Sequence, residues 1–182
     1  SCITLASAFQ GATAFNQRLN VWDWSENTDA WDMFRDATQF NNGGVAPNWD
    51  MTKCVYFVEM FYGTPFNQDM SGCTGIGLAA GSSGAWYRSM FAQNTAFDQN
   101  IGHFAVTNVK ESAHWGMGNM FAGAGSELST ANYNATLIAW AAVDATDGVN
   151  LGANTSESTG AGDTARADLI STDSWVITDA DS

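Results

Sequence analysis

An apolar quartet spaced i, i+3, i+4, i+7 recurs five times along the chain. It reads Leu5-Ala8-Phe9-Ala12, Ala30-Met33-Phe34-Ala37, Phe57-Met60-Phe61-Thr64, Tyr87-Met90-Phe91-Asn94 and Met117-Met120-Phe121-Ala124. That spacing puts four side chains on one helical face and predicts a short buried helix in each unit. Past each quartet stands another apolar residue, in order Phe15, Phe40, Phe66, Phe97 and Leu128. Asn16-Gln17, Asn41-Asn42, Asn67-Gln68 and Asp98-Gln99 follow the first four. Segments 15–19, 66–70 and 97–101 alternate well enough to be short strands or extended turns, which stacking would pair as a parallel ladder. An Asn at a fixed place in each unit can satisfy backbone groups at a tight corner and reach the next unit.

Successive quartets lie 25, 27, 30 and 30 residues apart. A period in this range marks a solenoid, in which each unit leans only on its neighbours. The expected fold is therefore an α/β solenoid over residues 1–128, with about five coils beginning near residues 3, 28, 55, 85 and 115. Its repeated core positions are Met33, Phe34, Phe40, Met60, Phe61, Phe66, Met90, Phe91, Phe97, Met120 and Phe121. Extra residues fall at 42–47 and in the Gly-rich stretch 74–84, which makes the second a candidate contact loop. After Leu128 the pattern changes. Ser129-Thr130 predicts a helix start, a short strand follows near residues 149–151, a second helix covers 163–170 and a strand 175–178. Residues 129–182 thus read as a capping region over the last coil, whereas nothing comparable covers the first quartet, which begins five residues in.

Residues Met33-Phe34, Ala37, Phe40 and Asn41 fit one longer frame, as do Phe15-Asn16-Gln17, Leu19, Trp22-Asp23 and Ser25. Trp49-Asp50-Met51-Thr52 repeats part of that frame, and Val106-Thr107-Asn108-Val109 does so more loosely. The capping region adds Leu128-Ser129-Thr130, Tyr133, Leu137-Ile138, Trp140, Ala165-Arg166, Leu169-Ile170 and Trp175 through Asp179. Over nearly its whole length the chain resembles the BspA-type leucine-rich-repeat family of bacterial surface proteins, whose domain of unknown function occurs in mycoplasma and marine bacterial lipoproteins. The third coil departs from the family frame, with Pro65 one residue early and Cys73 where Trp is expected. The resemblance implies a right-handed leucine-rich-repeat-like α/β solenoid on a cell or particle surface, used in adhesion and partner binding, with no catalytic residues.

Composition narrows the choice of partner. Nineteen acids against six Lys and Arg give a net charge of −13, a balance that repels nucleic acid and anionic membrane. No run reaches the roughly 18 apolar residues of a membrane span. Cys2, Cys54 and Cys73 have no metal-like spacing; Cys54 and Cys73 fall in consecutive coils and read as a bonded pair or as buried free thiols. Ser1 reads as a processed or trimmed start.

Catalytic chemistry has little to stand on, and the chain reads as no enzyme. His103 and His114 are isolated, and no nucleophile elbow, phosphate loop, dinucleotide fingerprint or zinc spacing is present. No cofactor is implied beyond calcium, for which Asp144 with Asp147 and Asp179 with Asp181 are oxygen-bearing candidates that lack EF-hand spacing. Among the eight Trp residues, Trp22, Trp49, Trp140 and Trp175 read as core. Trp24, Trp31, Trp86 and Trp115, with Tyr87, are the candidate binding surface, and Trp86 beside the Gly-rich loop is the one expected to be exposed. Asn134 and Asn154 begin glycosylation-type triplets, inert in a bacterial setting. Two functions follow as expectations. One is a surface or secreted module that binds a protein or glycan on a cell surface. The other is a structural subunit of a filament, sheath or virion appendage, joining copies of itself through the uncapped first coil.

Overall fold

The computed structural model describes residues 3–79, 84–110 and 115–182. The quartets do not form helices. In the second unit, hydrogen bonds from Met33 N to Ala30 O, Arg35 N to Asp32 O and Ala37 N to Phe34 O close three overlapping four-residue turns. Asp32 and Asp36 lie at φ 53° and 57°, in the left-handed region, where Asp, Asn and Gly are tolerated best. The same pair of left-handed residues, four apart, occurs at Ser7 and Gly11, Glu59 and Gly63, Ser89 and Gln93, and Asn119 and Gly123. A left-handed residue every fourth position breaks the helical ladder. It still returns residues 30, 33, 34 and 37 to one side, so the apolar stripe is preserved without a helix.

The amides left over by the turns reach the next unit. Ser7, Phe9 and Gly11 donate to the carbonyls of Trp31, Met33 and Arg35; Asp32, Phe34 and Asp36 donate to those of Val58, Met60 and Tyr62. Glu59, Phe61 and Gly63 continue to Arg88, Met90 and Ala92, and Ser89, Phe91 and Gln93 to Gly118, Met120 and Ala122. Parallel bridges Thr4↔Asp29, Asp29↔Tyr56 and Tyr56↔Trp86 lead into this pairing. In the second unit the amides of residues 32–37 thus alternate between their own unit and the following one.

Two columns of rings fill the interior. Phe9, Phe34, Phe61, Phe91 and Phe121 follow one another at 5.6–5.7 Å with interplanar angles of 10° or less. Phe15, Phe40, Phe66 and Phe97 follow at 5.8–6.3 Å. Within a unit the two columns touch at 3.7–4.1 Å. All eleven repeated core positions expected from the sequence are buried, at 2% exposure or less. The early Pro65 leaves the third pair, Phe61 and Phe66, at 4.1 Å, so one missing residue is absorbed without loss of stacking.

The alternating segments are not strands. Their amides are taken by side chains: Asn41 N donates to Asn16 Oδ1 at 2.8 Å, Asn67 N to Asn41 Oδ1 at 2.9 Å, Asp98 N to Asn67 Oδ1 at 3.0 Å and Ser129 N to Asp98 Oδ1 at 2.8 Å. Each Asx oxygen thus holds the equivalent residue one unit on.

Apart from a single 3-10 turn at Asn42–Gly44, the helices and strands among the described residues are α1 (Thr130–Ala141), β1 (Asn150–Gly152), α2 (Ala161–Thr172) and β2 (Val176–Thr178). Ser129 stands at the N-cap of α1 without capping it, because its hydroxyl donates to Asp98. β1 and β2 pair in parallel with Leu151 opposite Ile177, and a parallel bridge from Met117 to Leu151 joins them to the fifth unit. Tyr133, Leu137, Trp140, Leu169 and Trp175 close the same core.

Candidate recognition surface

The hydrogen-bond register places Trp31, Val58 and Arg88 in one outward column, and Tyr56 and Trp86 in its neighbour. Trp31 and Trp86 lie 6.3 Å apart, Trp31 and Trp115 5.6 Å, and Trp86 and Trp115 5.3 Å. Tyr56 meets Trp86 edge-on at 5.1 Å. Each of these indoles is half-buried. Val58 is 1% exposed yet lies outside the contiguous core. Arg88 lies over the Trp115 ring at 5.2 Å and Arg35 over Tyr62 at 4.8 Å. Trp86 Nε1 is buried with no acceptor among the described residues, a donor left unsatisfied at a cost of about 1–3 kcal/mol.

Beside this surface the left-handed column sets Asp32 next to Glu59. Arg35 reaches both carboxylates and also Asp36. Burial, and then the Glu59 charge, hold the Asp32 carboxyl above its ordinary value against the opposing pull of Arg35.

Three of the five expected binding residues, Trp31, Trp86 and Trp115, are therefore gathered into one cluster. The other two are core. Trp24 is 2% exposed and stacks on Trp49 across units at 4.4 Å. Tyr87 is fully buried, stacks on Phe57 at 5.3 Å and donates its hydroxyl to Ala105 O at 3.2 Å. Burial pushes that phenol above its ordinary range. Trp22, expected in the core, is 42% exposed, with the Phe9 ring tilted against it at 5.7 Å. Tyr56, Tyr62, Arg35 and Arg88 were not anticipated. Arg35, Tyr62 and Arg88 each stand next to a left-handed residue, Asp36, Gly63 and Ser89, which was their positional signal.

In the Gly-rich stretch Ile76, Gly77 and Ala79 are buried, whereas Leu78 is 58% exposed. Gly77 lies at φ 80°, and a Cβ there would fall 1.9 Å from the Tyr87 hydroxyl. Residues 80–83, the rest of the expected contact loop, lie outside the described residues, as do Cys2 and His114. His103 lies edge-on to Phe104 at 5.0 Å.

The calcium candidates separate. Asp179 is 8% exposed and accepts from Arg166 Nε and Nη2 at 2.8 Å each and from Tyr133 at 2.6 Å. Its oxygens are committed to an ion pair. Asp181 accepts from the backbone and hydroxyl of Ser158. Asp144 and Asp147 line an open polar cleft of about 520 Å³ with Lys110. No three His, Cys, Asp or Glu side chains gather as a metal site among the described residues. Cys54 and Cys73 are free and buried, and burial pushes their thiols to about 12 and about 11. Neither glycosylation triplet presents its hydroxyl. Thr136 is 1% exposed and accepts from Ile101 N, while Ser156 is 1% exposed and accepts from Leu128 N.

A chain of recurring units joined edge to edge, carrying an aromatic surface drawn from several of them, defines a repeat protein. Two stretches, residues 1–74 and 81–155, match the family described as "Mycoplasma protein of unknown function, DUF285", and the chain belongs to that family. No curated protein and no solved structure matches it. Among the described residues no helix is long and apolar enough to cross a membrane.

Proposed function

We propose that this chain is a non-enzymatic recognition module of the BspA-like surface-protein kind, extracellular or on a cell or particle surface. In this reading the five units form a right-handed solenoid capped by residues 129–182, and the outer aromatic face binds a protein partner. The observation that carries the reading is the convergence of Trp31, Trp86 and Trp115, from separate units, outside the contiguous core. Trp, Tyr and Arg are the residues that dominate the energetics of protein interfaces. A sugar ring prefers an open, flat platform. Trp31 is tilted by 53° and 57° against the other two indoles, which favours the irregular side chains of a protein over a glycan.

The test is binding of the labelled chain to a surface fraction of the source organism, with the fraction first treated with protease or, separately, with periodate. Protease treatment should abolish binding and periodate should spare it, with at least a tenfold loss, about 1.4 kcal/mol, in Trp31→Ala/Trp115→Ala. Loss after periodate alone would assign a glycan. Full binding by the double variant would remove the aromatic face from the account.

A further inference from the structure

The third unit interrupts a row of rings. Trp22 N donates to Leu19 O, Cys73 N to Met70 O and Phe104 N to Ile101 O, which makes Trp22, Cys73 and Phe104 corresponding residues. The Asp50↔Thr74 bridge adds Trp49 to the same row. The other three units of the row supply an aromatic ring, and the third supplies a thiol. Thr74 N is bonded to Trp49 O and Ala105 N to Ile76 O, so this unit offers Cys73 to the unit before it and Ile76 to the unit after it. A cavity of about 290 Å³ opens beside these two ringless residues, between the third unit, the fourth unit and α1. Cys73, Ile76, Val106 and Trp140 line it at 6% exposure or less, while Leu78 and Val143, at 58% and 45%, stand at its rim. Trp140 Nε1 is buried with no acceptor among the described residues. Buried donors in folded proteins are overwhelmingly paired, and one left without a partner is destabilising. Burial pushes the Cys73 thiol to about 11, so it stays protonated at neutral pH and serves as apolar wall rather than as a nucleophile.

We infer that this cavity binds a small apolar molecule carrying one hydrogen-bond acceptor, of the aryl ketone class, with its carbonyl oxygen on Trp140 Nε1 and its ring against Cys73, Ile76 and Val106. A concave, mostly apolar enclosure with a single fixed polar contact is the usual form of a small-molecule site. The size of the ligand follows from the interrupted row, because one ring with a short substituent replaces the side chain that the other units supply. Its polarity follows from the indole, which donates and does not accept. The lining residues come from 71–78, 102–107 and 139–143, so the cavity is walled by units inside the array and by the capping helix. It shares no residue with the Trp31, Trp86 and Trp115 surface and is independent of the recognition role proposed for that face.

The probes are acetophenone and ethylbenzene, which are alike in size and differ in the carbonyl. Acetophenone should bind the unsubstituted chain at least about tenfold more tightly, the discrimination a buried donor gives when the competitor leaves it unpaired. Its binding should move the Trp140 indole N–H resonance, assigned by its loss in Trp140→Phe, and in that variant the two probes should bind alike. Equal affinities on the unsubstituted chain, or an indole resonance unmoved by saturating acetophenone, would overturn the carbonyl contact. No binding of either probe would overturn the site. Cys73→Phe supplies the missing ring and should abolish binding of both probes. A folded Cys73→Phe chain that still binds acetophenone would place the ligand elsewhere and overturn the inference.

Discussion

The turn-built units and the C-terminal αβαβ region share one core but are held by different forces. Across the described residues up to 128 the chain is ordered by repetition. Identical rings meet at nearly identical distances, and an Asx oxygen fastens each unit to the next. Beyond residue 129 the helices and the short parallel pair are ordinary, and the specific interaction is a single buried ion pair, Arg166 with Asp179, with Tyr133 donating to the same carboxylate. In the first region stability is spread over many small, equivalent contacts. In the second a few side chains hold a disproportionate share.

The largest expected effect tests how far the spread contacts support one another. Phe61 touches Phe34, Phe40, Phe66 and Phe91. Phe61→Ala should cost about 4 kcal/mol in urea unfolding. A loss below about 2 kcal/mol would show that the columns relax around a missing ring. Next comes Asp179→Asn, expected to cost about 3 kcal/mol by leaving Arg166 without its bidentate partner. Burial raises the Asp179 carboxyl, but bonds from Arg166, Tyr133 and Ser182 outweigh it and hold the group below its ordinary value of 3.8. A depressed carboxyl stabilises the fold above the unfolded value and ceases to do so as pH falls through the folded one. The native protein should therefore lose stability on that acid limb, and the variant should show a flatter limb. A native profile as flat as the variant's would remove the ion pair from the account.

The smallest effect has the opposite sign. Asp32 is raised by burial and by Glu59, so its ionised form opposes folding at neutral pH, and stability recovers as pH falls through its folded value. Asp32→Asn keeps a residue suited to φ 53° and removes that charge. A gain of up to about 1 kcal/mol at pH 7, vanishing below pH 4, should appear in thermal melts. A loss would mean that the pairing with Arg35 outweighs the repulsion.

Much of the core was legible because burial follows spacing, and Met33, Phe34, Met60 and Phe61 all lie where the quartets put them. The helix was misread because spacing alone does not distinguish a helical stripe from overlapping turns that return every fourth residue inward. The distinguishing signal was residue type. Gly11, Gly63 and Gly123 share one column and Asp32 and Asn119 another, all tolerant of positive φ. Both C-terminal helices and strands were legible to within a few residues, although Ser129, read as a helix start, spends its hydroxyl on Asp98 rather than on the cap. Trp22 and Trp24 exchanged roles because adjacent aromatics give no hint of which one meets Trp49 across units. Tyr87 was misassigned because its acceptor, Ala105 O, comes from a distant loop, and Asp179 because Arg166 and Tyr133 lie 13 and 46 residues away.

The Asx clasps link residues 25, 26, 31 and 31 positions apart, yet each makes the same bond at 2.8–3.0 Å. Registration is thus counted by fasteners rather than by chain length. Intervals of 25 and 31 residues are equally compatible with one bond geometry, so a stretch between two clasps can differ in length without changing the clasp itself.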